Sequence, residues 1–134
     1  MEEFDPERER MAIRHLLSVY ATAGERGKID EIMELWGDEC VFEVPQGVFR
    51  GKEEIKAALG GIAHGESPID VRGSKIHLTT SRIEFDDLNG ARGWTHYMVI
   101  CGSQILQTGD YIDRFQRISR RWKIIARRCK THTC

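Results

Sequence analysis

The sequence lacks the long apolar segment that a membrane-spanning helix requires. No apolar run approaches the roughly 18 to 20 residues that cross a bilayer, and the N-terminal stretch MEEFDPERER is charged, unlike a signal peptide. We therefore expect a cytoplasmic protein without a membrane partner. With only three prolines, 40% hydrophobic residues and 31% charged residues, the composition predicts one globular domain over residues 1–134.

Several motifs that carry chemistry are also missing. The sequence contains no G-x-G-x-x-G and no G-x-x-x-x-G-K-[ST] motif for a nucleotide, and no G-x-S-x-G nucleophile elbow. Its four cysteines include no C-x-x-C pair, and the tail Cys129-Lys-Thr-His132-Thr-Cys134 lacks the paired spacing of a zinc site. We therefore expect free thiols, no metal site and no cofactor.

Acidic and basic residues are unevenly distributed, although the net charge is only −1. Residues 1–54 contain fourteen acidic and seven basic residues, whereas residues 114–134 contain eight basic residues and no acidic one. A basic tail can bind nucleic acid, but this one lacks the series of interleaved aromatic residues on which bases stack. We interpret it as the solvent-exposed face of a last strand and expect no nucleic-acid partner. The residues assigned to that face are Arg120, Arg121, Lys123, Arg127 and Lys130.

Three helices are predicted in the first half of the chain. The first begins after Asp5, which can cap it, has Pro6 in its first turn and ends at Gly24. Its apolar stripe consists of Ile13, Leu16, Leu17 and Tyr20. A shorter helix is expected over residues 29–36 and a third over residues 51–59. Glycines 60, 61 and 65 and Pro68 then predict a mobile loop up to Gly73.

The remaining segments have the pattern of strands. These segments are residues 40–44, 48–50, 75–85, 91–103, 105–117 and 121–130. Turn signals separate them, among them Pro45-Gln46-Gly47 and the hairpin pair Asn89-Gly90. The order predicts an α+β fold in which a strongly bent antiparallel or mixed sheet wraps around the three helices.

One strand has an irregular apolar pattern. Ile76 and Leu78 lie on even positions, but Ile83 and Phe85 lie on odd ones, and a regular strand cannot place both pairs on one face. A bulge near residues 79–81 would restore the pattern and bend the sheet into a cone with an interior pocket. Burial of both faces in a homodimer explains the same pattern, and both explanations stay open.

Several short stretches occur in the order typical of one known family. They are Tyr20-Ala21, Glu25, Ile29-Asp30, Leu35-Trp36-Gly37-Asp38-Glu39-Cys40-Val41-Phe42, Phe49-Arg50-Gly51-Lys52-Glu53-Glu54-Ile55, His77, Gly109-Asp110-Tyr111-Ile112-Asp113 and Trp122-Lys123-Ile124. Over roughly residues 8–130 the chain resembles the SnoaL-like branch of the NTF2-like superfamily, whose members have a cystatin-like α+β fold. The resemblance covers order and spacing rather than any one specific motif.

The resemblance implies a cofactor-independent enzyme that works by general acid–base catalysis. Its relatives include dehydratases, isomerases, polyketide cyclases and a dehydrochlorinase, so we expect a lyase or isomerase acting on a small hydrophobic carbonyl or hydroxyl compound. The superfamily also contains non-catalytic domains, which makes a small-ligand-binding or assembly domain the alternative. Epoxide hydrolysis is a weaker alternative, because the sequence does not reveal the paired acids and arginine that it needs.

Three residues are the predicted catalytic group. In the dehydratase and dehydrochlorinase branch, a strand histidine abstracts a proton and an acid after the first helix orients it. His77 and Glu25 match these positions, although the family usually has aspartate at the second, and Asp30 is an alternative acid. Tyr20 matches a tyrosine that stabilises a developing enolate, and it also completes the apolar stripe of its helix.

Eight further residues are the predicted substrate-binding group. Trp94, His96 and Met98 share one face of their strand, and that surface is typical either of a pocket for a hydrophobic ligand or of a dimer interface. Arg128 points inward if the last strand is regular, and Arg127 takes that place if a bulge intervenes. The predicted wall residues, which packing into a plain core explains equally well, are Trp36, Phe42, Phe49 and Tyr111.

Overall fold

The computed structural model describes residues 4–66 and 71–132, and Pro68 and Cys134 lie outside these ranges. Within them the chain forms three helices and six strands. These elements are α1 (Pro6–Glu25), α2 (Ile29–Met33), β1 (Trp36–Val44), β2 (Gly47–Arg50), α3 (Gly51–Ala63), β3 (Lys75–Asp87), β4 (Gly90–Cys101), β5 (Gln104–Ile118) and β6 (Arg121–His132). In the same ranges, no helix is both long and apolar enough to span a membrane.

The strands form one mixed sheet in the order β2-β1-β6-β5-β4-β3. Neighbouring strands are antiparallel except β1 and β6, which run parallel. The sheet is not closed into a barrel, since β2 and β3 are its two edges. Helix α1 packs on β3 and α3 packs on β1 and β2, so the helices lie against one face of the sheet. The predicted α+β fold with a bent, mixed sheet around the helices is confirmed.

The first helix forms as its sequence predicts. The Asp5 carboxylate accepts hydrogen bonds from the N–H groups of Glu7 and Arg8, and Pro6 stands at the start, where a missing N–H is harmless. The apolar stripe is buried in one core that also receives side chains from the sheet. The local signals and the burial therefore agree over the whole helix.

Two helix boundaries differ from the sequence prediction. Helix α2 ends at Met33, because the Leu35 carbonyl accepts a hydrogen bond from the N–H of Ile124 and Trp36 already pairs with β6. Helix α3 continues through Gly60 and Gly61 to Ala63, where a loop was expected. Its apolar side chains at positions 55, 59 and 62 all face the core, so packing extends the helix past two residues of low helix propensity.

The bulge predicted in the long strand is present. Leu78 pairs with Tyr97, but Ser81 pairs with Thr95, so three steps along β3 oppose two along β4. The shift returns Ile83 to the same face as Leu78, and both pack in the core. A second bulge occurs in β6, where the partners of Phe115 and Arg114 are Ile124 and Ala126. This second bulge decides which arginine points inward.

Helix α1 protects the exposed edge of β3. The Glu25 carboxylate accepts a hydrogen bond from the Ile76 N–H at 2.7 Å, and the Arg10 guanidinium donates one to the Ile83 carbonyl at 3.1 Å. An unpaired strand edge is a template for association with other chains. Side chains of α1 therefore provide hydrogen-bond partners for two backbone groups on a sheet edge that no other strand covers.

Candidate functional site

A buried ion pair lies between the sheet and α1. The β6 bulge turns Arg127 inward, and its Nε and Nη2 donate to the two Asp113 carboxylate oxygens at 2.8 and 3.0 Å. The two residues are 2% and 1% exposed. The charge pattern assigned Arg127 to the solvent-exposed face, and that assignment is wrong. The alternation of side chains along the last strand predicts that Arg127 takes the inward place if a bulge intervenes, and that alternative is confirmed.

Aromatic rings cover both faces of the buried guanidinium. The Arg127 Cζ lies 4.3 Å from the centre of the Tyr20 ring and 3.9 Å from that of Tyr111. Tyr111 in turn stacks on Tyr97, with ring centroids 4.5 Å apart. Cation–π contacts of this kind strengthen when water is excluded. Two strands and one helix thus fix the position of the cation.

Three buried polar atoms beside this pair make no well-aligned hydrogen bond in the part of the chain that the structure describes. They are Tyr20 Oη, Trp36 Nε1 and Thr95 Oγ1. A buried polar group without a partner costs about 1–3 kcal/mol, so proteins rarely keep several together. Tyr20 and Trp36 also touch, with ring centroids 6.3 Å apart. The arrangement is typical of a site that receives a polar ligand.

The interior changes the acidity of its own groups. Burial raises the pKa of Tyr20 to about 12, although the Arg127 charge opposes this, and burial raises the pKa of Cys129 to about 11. Burial also raises the pKa of the Asp113 carboxyl, against the stabilising charge of Arg127. For Arg127 burial acts to lower the pKa, but the Asp113 carboxylate more than offsets it. The phenol and thiol are therefore neutral proton donors, beside a carboxylate that can accept a proton.

The predicted wall residues are brought together. Trp36 and Phe42 are buried in the core and contact one another edge to face, and Phe49 follows Phe42 at 6.3 Å between ring centroids. Tyr111 lies across the interior against Arg127. Trp36, Phe42 and Phe49 therefore form one apolar cluster in the core, next to the Trp36 N–H.

The predicted His77–Glu25 dyad is not formed. Ile76 and Leu78 face the helices, so His77 between them is exposed on the opposite face of the sheet. Within residues 4–66 and 71–132 its ring has no hydrogen bond or ion pair, and Glu25 instead binds the Ile76 N–H and lies 3.9 Å from the Lys75 ammonium. The alternative acid, Asp30, makes a surface ion pair with Lys56.

Trp94, His96 and Met98 do share one face, but it is the face turned away from the helices. Their neighbours Thr95, Tyr97 and Val99 occupy the buried face instead. His96 lies 3.4 Å from one oxygen of Asp110, and His132 lies 2.8 Å from the other. These residues therefore do not line the interior.

Arg128 is also outside the interior. Its guanidinium binds the Glu43 carboxylate at 2.7 Å on the surface. Two interior residues, Asp113 and Thr95, are not among the site residues predicted from the sequence. Asp113 carried a signal, since its odd position groups it with the buried Gly109 and Phe115, and an acid on an apolar face requires a partner. No comparable signal marks Thr95.

The arrangement offers only half of what epoxide hydrolysis needs. That reaction needs paired acids and an arginine. In the described part of the chain, Asp113 is the sole carboxylate that pairs with Arg127. The geometry therefore gives that alternative no further support.

Comparison with known proteins identifies one family. The model of the SnoaL-like domain matches residues 7–128. No curated protein matches the sequence. Structural neighbours include a candidate scytalone dehydratase from Novosphingobium aromaticivorans, with 21% identity, coverage of 96% of this chain and 87% of that chain, and a TM-score of 0.81.

Two further neighbours share the same architecture. The hexachlorocyclohexane dehydrochlorinase LinA-type3 from Novosphingobium barchaimii has 17% identity over 98% of this chain and 92% of its own, with a TM-score of 0.80. An NTF2-like protein with a cystatin-like fold from Novosphingobium aromaticivorans has 20% identity over 91% and 80%, with a TM-score of 0.78. At these identities the likeness establishes the fold alone.

Proposed function

The chain belongs to the SnoaL-like domain family, and we propose that it is a cofactor-independent lyase or isomerase that acts by general acid–base catalysis. Its substrate is a small hydrophobic carbonyl or hydroxyl compound bound between α1 and the sheet. The similarity to a candidate scytalone dehydratase and to a dehydrochlorinase supports a reaction that begins with removal of a proton from carbon. The choice among dehydration, isomerisation and cyclisation stays open.

One observation carries this proposal. Among the described residues, the hydroxyls of Tyr20 and Thr95 and the indole N–H of Trp36 are buried on the side of the sheet that carries the buried Asp113 carboxylate, and none makes a well-aligned hydrogen bond. The Trp36 N–H nevertheless lies close enough to the Tyr20 oxygen to oppose the rise in the pKa of that phenol. A substrate oxygen can accept hydrogen bonds from Tyr20 and Trp36, and that interaction strengthens as negative charge develops on the oxygen. The high pKa of Tyr20 keeps the phenol protonated for this purpose.

Asp113 takes the role of base in this proposal, in place of His77. A β-hydroxy ketone loses its α-proton to the Asp113 carboxylate, and the enolate oxygen is held by Tyr20 and Trp36. The electron pair then forms the carbon–carbon double bond and expels the β-hydroxyl, which takes the proton back from Asp113 and leaves as water. Arg127 acts as a positioning residue, because it holds both carboxylate oxygens in place.

The test measures proton abstraction directly. We expect the protein to catalyse exchange of the α-protons of β-tetralone in D₂O, followed by NMR, and to convert a β-hydroxy aryl ketone into its UV-absorbing enone. Tyr20→Phe should reduce exchange by at least about tenfold with little loss of stability, because the ring that covers Arg127 is kept and the phenol makes no well-aligned hydrogen bond within the described residues. Tyr97→Phe is the matched control and should leave the exchange rate unchanged, because the Tyr97 phenol already donates its hydrogen bond to Gln107.

A second pair of variants identifies the base. Asp113→Asn should abolish exchange under conditions where its circular dichroism spectrum matches that of the wild type, a check that is needed because the change also weakens the buried pair with Arg127. His77→Gln should leave exchange unchanged, because His77 lies on the far face of the sheet. The opposite result would return the role to His77. Tight binding of β-tetralone without any exchange would instead favour the alternative of a non-catalytic ligand-binding domain.

A further inference from the structure

The proposed reaction assigns no role to the buried hydroxyl of Thr95. This residue is 1% exposed, and its Oγ1 makes no hydrogen bond among residues 4–66 and 71–132. A hydroxyl loses its hydrogen bonds to water when it is buried, so a valine of the same shape would suit a purely structural position better. The hydroxyl therefore indicates a ligand atom to which it binds.

The register of the sheet places Thr95 diagonally across from the proposed base. Thr95 on β4 pairs with Tyr111 on β5, and two residues along the same strands Gly93 pairs with Asp113. Thr95 and Asp113 are both buried on the face of the sheet that packs against the helices. Diagonal neighbours on one face of an antiparallel pair lie about 7–8 Å apart. Side chains at this spacing can contact groups on adjacent carbon atoms of one small molecule.

We infer that the Thr95 hydroxyl binds the leaving oxygen of the substrate, an inference that rests on the proposed function. The β-hydroxyl is carried by the carbon next to the α-carbon, so it lies beside Thr95 when the α-proton faces Asp113. As the carbon–oxygen bond breaks, its electron pair moves onto this oxygen, which takes the proton from Asp113 and leaves as water. A hydrogen bond donated by Thr95 strengthens as that charge develops.

This role makes the site selective for one class of substrate. A site built to bind a substrate hydroxyl discriminates against analogues that lack it, because its own polar group then stays buried without a partner. Thr95 therefore favours a carbonyl compound with a hydroxyl on the β-carbon over one without it. Of the three reactions left open above, elimination of water is the one that uses such a group.

Two assays on the same variants separate the Thr95 hydroxyl from the base. Thr95→Val should lower kcat/KM for dehydration of a β-hydroxy aryl ketone at least about tenfold. It should leave α-proton exchange of β-tetralone unchanged, because that ketone has no β-oxygen. Its melting temperature should not fall, since the change removes a buried hydroxyl that has no partner in the described chain. Thr95→Ser keeps the hydroxyl and should recover most of the dehydration.

Thr79→Val is the matched control and should change neither rate. Thr79 is exposed on β3, where its hydroxyl donates to the His96 carbonyl at 3.5 Å. Three results would overturn the inference while leaving Asp113 as the base: exchange without dehydration by the wild type, unchanged dehydration by Thr95→Val, or an equal loss in both assays together with a lower melting temperature. A wild type that catalyses neither reaction would overturn the proposed function, and this inference with it.

Discussion

Replacing Arg127 by methionine tests the buried ion pair quantitatively. The change leaves the Asp113 carboxylate buried, with its only described ion-pair partner removed. The folded protein then avoids a buried charge by binding a proton, and near pH 7 this costs about 4 kcal/mol, since each unit above the ordinary aspartate pKa near 3.9 contributes about 1.4 kcal/mol. Measured costs of breaking buried pairs, about 3–5 kcal/mol, agree with this figure.

The loss of stability caused by Arg127→Met depends on pH. An acid whose pKa is raised in the folded state contributes stability that is present below its unfolded pKa and is lost as pH rises through the folded pKa. The destabilisation by Arg127→Met should therefore be largest near pH 7, at no more than about 4 kcal/mol, and should shrink as the pH falls towards 5. Urea unfolding followed by tryptophan fluorescence measures the loss at both ends of this pH range.

Arg128→Met is the matched control for this experiment. Arg128 is the next residue on β6, but its side chain is 55% exposed and pairs with Glu43 on the surface. Its removal should cost no more than about 1 kcal/mol at either pH. Equal effects of the two substitutions, or a loss for Arg127→Met that does not vary with pH, would refute the inward placement of Arg127.

Three other predictions concern stability. Burial raises the pKa of all three tyrosines of the chain above the ordinary value of 10. The protonated phenols therefore contribute fully to the stability of the fold below pH 10, and this contribution is lost as the pH rises above 10. A UV titration should accordingly show no tyrosinate near pH 10 until the protein unfolds. Gly109→Ala should destabilise by more than about 2 kcal/mol, because its Cβ would overlap a backbone carbonyl and a tyrosine ring, whereas Gly60→Ala in open helical space should stabilise by about 0.5–1 kcal/mol in thermal melts. Glu25→Ala should cost about 1 kcal/mol in urea unfolding, because it leaves a strand-edge N–H without its acceptor, and an unchanged midpoint would contradict the edge role.

Local signals were sufficient for most of the fold. The cap at Asp5 and the stripe ending in Tyr20 predicted α1, and the change of parity between Leu78 and Ile83 predicted the bulge that the structure contains. These features depend on neighbouring residues alone. The end of α2 does not depend on neighbouring residues alone, because it is set by a hydrogen bond from Ile124, about ninety positions further along the chain.

The site was less predictable, because parity groups residues on a face without telling which face is buried. Trp94 and His96 were grouped correctly but lie on the face of the sheet turned away from the helices, since the intervening Thr95 occupies the interior. Arg127 could not be chosen over Arg128 before the β6 bulge was located. The acid that pairs with Arg127 stands on another strand, fourteen residues away, and pairing of that kind is set by register alone.

The most direct test of the proposed site is a crystal structure of the protein with β-tetralone bound. The ketone should lie between α1 and the sheet, with its oxygen about 2.7–3.0 Å from Tyr20 Oη and within reach of Trp36 Nε1. The α-carbon should then lie next to the Asp113 carboxylate. A ketone bound beside His77, on the face of the sheet turned away from the helices, with the interior unchanged, would show that the proposed site is wrong.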